Sequence, residues 1–117
     1  MMRMNSRRYV KLLAVLGAVT LSSLSMNLSV HADTPVDSQV VIKDFMFHPT
    51  SVKIKVGAIL TWVNKDEEPH TVTSEVGLFR SGAMDTNDTF VFKFDKPGTY
   101  HFLCSIHPQM VGTIVVE

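Results

Sequence analysis

The chain has 117 residues, with 11 basic and 11 acidic side chains and a formal net charge of zero. That length holds one domain and not comfortably two, and the balanced charge carries no whole-chain signal for nucleic acid or a membrane surface. A single cysteine, Cys104, excludes an intrachain disulfide and any disulfide-rich scaffold.

The charge is unevenly placed. Arg3, Arg7, Arg8 and Lys11 all lie in the first eleven positions, and no acid precedes Asp33. An apolar run from Leu12 to Val19 follows, thins into serines, and ends at Val30-His31-Ala32. A basic start, an apolar middle and a small-residue end predict a secretory signal peptide over 1–32, with cleavage after Ala32. The apolar run is well short of the roughly 20 residues needed to span a bilayer, so no membrane anchor is expected. The domain is then 33–117, with seven basic against 11 acidic residues and a charge of −4. Its expected location is the periplasm or another extracytoplasmic space.

From Val40 onward, short β-rich runs alternate with turn signals, and no helical period is sustained. Strands are predicted over Val40–Phe45, Ser51–Val56, Ile59–Asn64, His70–Ser74, Thr89–Phe94, Tyr100–Cys104 and Val111–Val116. Breaks fall at His48-Pro49, Val56-Gly57, Asn64 to Pro69, Gly77 to Asn87, Lys96-Pro97-Gly98 and Ile106 to Pro108. Short strands at this spacing predict an all-β Greek-key sandwich. Val52, Ile54 and Val56 alternate with Lys53 and Lys55, so one face points inward. Phe90, Phe92 and Phe94 share a face, as do Tyr100, Phe102 and Cys104. Pairing the two aromatic sets places Cys104 at the inward-facing end of a core strand, with its sulfur at one pole of the sandwich.

The chemistry concentrates in Cys104-Ser-Ile-His107-Pro-Gln-Met110, a C-x2-H-x2-M loop between two strands, and in His70 at the start of another strand. A His2Cys set with a weak thioether is the donor set of blue-copper electron-transfer sites. Structural zinc prefers more thiolates or a hard fourth donor, and iron–sulfur clusters need several cysteines. A Cys–His nucleophile pair would leave Met110 and His70 unexplained. An inert core cysteine beside two surface histidines is the ordinary reading of each residue alone. Their joint spacing argues against it.

These residues resemble the cupredoxins, and within them the small amicyanin, pseudoazurin and plastocyanin-like proteins, amicyanin most of all. The resemblance runs from about Val40 to Glu117. It rests on Val56-Gly57, Thr61-Trp62-Val63-Asn64, Pro69-His70-Thr71-Val72, Pro97-Gly98-Thr99-Tyr100 and the Cys104–Met110 loop. It implies one type 1 copper held by His70, Cys104, His107 and Met110, with both imidazoles bound through Nδ1. It implies that the Thr71 N–H donates to the Cys104 sulfur. Because Thr71 stands where many members carry Asn, its hydroxyl has to bridge the two ligand loops. The resemblance also implies an apolar docking patch of Pro69, Met84 and Pro108 around the exposed edge of His107, with Met46 a further candidate.

A monomeric carrier of single electrons is therefore expected, not an enzyme, with no nucleic-acid partner and no membrane span. The resemblance suggests a c-type cytochrome, a quinoprotein amine dehydrogenase or a nitrite reductase as redox partner. A copper storage or delivery protein and a metal-free interaction module are the competing readings. His101 lies on the strand face opposite Cys104 and is expected at the surface. His48 is expected in an exposed turn, Trp62 in the core, and Asp66, Glu67 and Glu68 in a solvated acidic turn.

Overall fold

The computed structural model describes residues 38–117, together with residues 17, 18, 26 and 29. The expected leader, its cleavage point at Ala32 and the start of the domain at Asp33 lie outside the described residues, those four positions apart. In chain order the strands are β1 (Ser38–Lys43), β2 (Met46–His48), β3 (Ser51–Ile54), β4 (Ile59–Asn64), β5 (Thr73–Ser74), β6 (Thr89–Lys93), β7 (Gly98–Leu103) and β8 (Val111–Val116). They form two four-stranded sheets, ordered β2-β1-β4-β6 and β3-β8-β7-β5. The β1/β4 and β3/β8 pairs are parallel and the others antiparallel. Parallel neighbours cannot be joined by a tight turn, so the chain crosses between layers, as the expected all-β sandwich requires.

Alternation explains which side chains fill the gap between the layers. Val40 and Ile42 of β1, Leu60 and Trp62 of β4, and Ile114 and Val116 of β8 are buried at every second position. Trp62 is fully buried, with ring centroids 5.6 Å from each of Phe79, Phe90 and Phe102. Burial of each such side chain is worth about 1.5–3 kcal/mol. The two aromatic sets meet across the sandwich, since β6 and β7 belong to different sheets. Phe94, for example, lies 5.3 Å from Tyr100.

Two elements differ from expectation. The run expected as one strand through Phe45 stops at Lys43, turns through Asp44 and Phe45, and returns as β2. Both turn residues have positive φ, 53° and 56°, the backbone of a two-residue hairpin turn. The strand expected from His70 shrinks to Thr73–Ser74 because the preceding amides are used elsewhere. The Thr71 N–H goes to Cys104 Sγ and the Val72 N–H to Ser81 Oγ. His70 keeps a single antiparallel bridge, to Met84.

Candidate metal centre

The end of β7, the start of β8 and the segment after β4 converge at one pole of the sandwich. Cys104 follows the last residue of β7 and is fully buried. Its N–H donates to the Met110 carbonyl at 3.0 Å, and the Met110 N–H donates to the His107 carbonyl at 2.9 Å. These bonds close a tight loop that carries Cys104, His107 and Met110 together. His70 arrives from the other sheet edge, held by reciprocal backbone bonds with Met84 of 3.1 and 2.8 Å. His70 and Met110 are buried and His107 is half-buried.

Three donor atoms face one point. Cys104 Sγ lies 3.8 Å from His70 Nδ1 and 3.7 Å from His107 Nδ1, and the two Nδ1 atoms are 3.2 Å apart. The point equidistant from all three is about 2.1 Å from each, a metal–nitrogen bond length and slightly less than a metal–thiolate one. One buried thiol, two imidazoles and a thioether on the same loop are the donor types that blue-copper sites use, and they would suit copper here. Zinc would require a fourth strong donor. Among the described residues, His70, Cys104 and His107 form the only cluster of histidine, cysteine and carboxylate side chains placed to hold a metal.

The surroundings prepare the donors. Burial opposes ionisation of Cys104, but the Thr71 N–H, His70, and the His107 and Ile106 N–H groups outweigh it and bring the thiol down to about 6. The Thr71 N–H to Sγ distance is 3.3 Å. The Thr71 hydroxyl accepts the Ser105 N–H at 2.7 Å and lies 2.8 Å from the Ser105 hydroxyl. It therefore joins the His70 segment to the Cys104 loop.

Asp66 corrects the expected solvated turn. It is buried, and its Oδ2 lies 2.8 Å from His70 Nε2. An Nε2–H donor to that carboxylate leaves the His70 Nδ1 lone pair facing the donor cluster. Oδ1 accepts the Asp44 N–H at 2.7 Å and Oδ2 the Phe45 N–H at 3.0 Å. Burial raises the carboxyl's pKa, but the Phe45 and Asp44 N–H groups and His70 lower it further, so the net shift is downward. Asn64 braces this turn: its Nδ2 donates to the Glu68 and Met84 carbonyls, and its Oδ1 accepts the Asp66 N–H. The one signal for Asp66 in the sequence is its place four residues before His70, which an acidic run disguises.

Met84, expected on the docking patch, belongs instead to the core at 3% exposure. Its pairing with His70 turns the thioether inward. Pro69 and Pro108 are exposed beside the site, as is Met46. Phe45, Ile106 and Val111, which sequence reasoning left out, are large apolar side chains also exposed there. His101 is exposed as expected, with Nδ1 3.1 Å from Thr113 Oγ1. His48 is exposed as expected, but it ends β2 and does not lie in a turn.

The family model for the Cupredoxin-like domain matches residues 12–116. The chain is similar to amicyanin-alpha of Methylorubrum extorquens, 35% identical over 85 residues covering 68% of this chain and 71% of the relative. It is similar to plastocyanin of Scenedesmus fuscus, 34% identical over 85 residues covering 62% of this chain and 87% of the relative. Among solved structures, the purple cupredoxin from Nitrosopumilus maritimus superposes with a TM-score of 0.66 at 32% identity, covering 69% of this chain and 100% of that one. A sandwich of this topology, a pole carrying these donors and a family match over nearly the whole length agree: the chain belongs to the cupredoxin-like family.

Proposed function

We propose that the chain is an exported blue-copper carrier of single electrons, with one copper held by His70, Cys104, His107 and Met110. The observation that carries this reading is the triangle of Sγ and two Nδ1 atoms, each about 2.1 Å from a common point. Copper there supplies a Cu(I)/Cu(II) couple. The chain's own residues hold the donors apart, exclude water from Cys104 and His70, and leave His107 half-exposed as the route outward. No substrate is transformed, so the protein is a carrier and not an enzyme. The apolar surface of Pro69, Pro108, Phe45, Met46 and Ile106 around His107 is the docking face for a redox protein. A c-type cytochrome, a quinoprotein amine dehydrogenase or a nitrite reductase fits that role.

Export to the periplasm is supported by the basic and apolar pattern of residues 1–32. No helix of the described residues is long and apolar enough to cross a membrane. Against a storage or delivery role, Met46 stands exposed while Met84 and Met110 are buried, so residues 38–117 offer no exposed thioether cluster to Cu(I). The test is Cu(II) addition to the metal-free protein. An intense thiolate-to-copper absorption, lost in Cys104→Ser, is expected, with reversible redox cycling that retains the metal. A colourless complex overturns the reading, and ready metal transfer to an acceptor protein favours delivery.

A further inference from the structure

His107 has a problem of placement. Its Nδ1 stands 3.2 Å from His70 Nδ1, where two lone pairs repel in the absence of a shared proton or metal. His70 is pinned on its far side by Asp66, whereas the His107 ring has no hydrogen bond outside the donor cluster among the described residues. What touches it instead is Phe45. The Phe45 ring meets His107 edge-on at 5.0 Å and 85°, and meets His70 edge-on at 5.2 Å and 86°. The two imidazoles are themselves 5.0 Å apart, so the three rings form a closed triangle.

Phe45 reaches that position through an unfavourable backbone. Its φ of 56° is uncommon for a bulky side chain. The conformation is held by Asp66, whose two oxygens accept the Asp44 and Phe45 N–H groups while Oδ2 also meets His70 Nε2. One buried carboxylate thus sets the buried imidazole and the turn that faces the other imidazole. Phe45 is also 40% exposed, an open placement for a large apolar residue.

We propose that the Asp44–Phe45 turn is a clip: Asp66 registers it to His70, and Phe45, as a positioning residue, seats the His107 imidazole before metal arrives. The clip extends the copper-carrier reading, on which its role in metal retention rests. Edge-on aromatic contacts have a preferred geometry, so the ring sets both spacing and tilt. Donors seated in advance lose less freedom on binding metal and move less between its two charge states.

The test uses Phe45→Gly, which removes the ring and suits the positive φ, beside Phe45→Tyr, which keeps the ring. In the metal-free protein, imidazole motion is read by NMR of carbon-labelled histidine. His107 is expected to be fixed in the wild type and in Phe45→Tyr, and rotamer-averaged in Phe45→Gly, while His70 stays fixed in all three. In the copper-loaded protein, a Cu(I) chelator is expected to extract metal about tenfold faster from Phe45→Gly than from the other two. Asp66→Asn is expected to loosen both imidazoles. The clip is overturned if His107 is equally ordered with and without the ring, or if His70 loosens with it in Phe45→Gly. The NMR result is independent of copper. A wild type that binds no copper but shows ring-dependent order at His107 sinks the carrier reading and keeps the clip.

Discussion

Asp66 and Cys104 do opposite things with burial. Asp66 is an acid retained in the interior because three donors meet it, the Asp44 and Phe45 N–H groups and His70 Nε2. Asp66→Ala leaves the buried His70 Nε2 and the two part-buried amides without this acceptor. A loss of about 2–4 kcal/mol is expected, measured by denaturant unfolding of the metal-free protein. Cys104 is a thiol held ready to ionise. Its folded value of about 6 lies below the 9.0 of an unperturbed thiol. A depressed acid contributes stability that is complete above its unfolded value and lost as pH falls to the folded one. The metal-free protein should therefore gain stability from pH 6 to 9, and the gain should be absent in Cys104→Ser. The same reasoning puts the Asp66 contribution in place above about pH 4 and removes it in stronger acid. Cys104, His107 and Met110 could be read together because seven consecutive residues carry them. Asp66 could not, since its carboxylate serves backbone amides more than twenty positions away.

At the scale of elements, the strands that alternate are the ones a sequence reveals. β3, β4, β6 and β8 fall within a residue or two of expectation. β2 was hidden because its hairpin turn is Asp44-Phe45, where such turns favour Asn-Gly or Asp-Gly. A phenylalanine there announces a strand, and only the Asp66 carboxylate makes it a turn. β5 is shorter than its residues suggest for the converse reason, since Thr71 and Val72 have strand-forming character while their amides serve Cys104 and Ser81. β8 adds a constraint of close approach. A Cβ on Gly112 would fall inside van der Waals contact of the Phe102 ring, which already packs on Phe47 and Trp62. Gly112→Ala is expected to cost about 1–3 kcal/mol through overpacking. A lowered unfolding midpoint would show it, and an unchanged one would mean that Phe102 can move aside.

Across the whole molecule, the donors come from two segments separated by 33 intervening residues, and the sandwich is what joins them. Metal that binds the folded pole and not the unfolded chain must stabilise the fold. At free copper about 1,000-fold above Kd, the gain is about 4 kcal/mol. For a domain of this size each kcal/mol raises Tm by about 4–8 °C. Copper loading should therefore raise Tm by well over 10 °C, and removal by a chelator should reverse the rise in a scanning calorimeter. A loaded protein with the Tm of the metal-free form would show that the pole is not the binding site.

The all-β class, the inward faces and the local Cys-x2-His-x2-Met loop were legible from residue order, because period-two alternation and short-range spacing are written along the chain. The sandwich's strand order, with β1 beside β4 and β3 beside β8, was not, since nothing local distinguishes one partner strand from another. Nor was the division of labour around His70. The bridge to Met84 turned an expected surface thioether into core, and burial turned an expected solvated carboxylate into the group that orients an imidazole. Both reversals have one physical cause. Burial and hydrogen-bond partners are properties of neighbours in space, and at this pole those neighbours come from the Asp44–Phe45 turn, the Asn64–His70 segment, Met84 and the Cys104 loop.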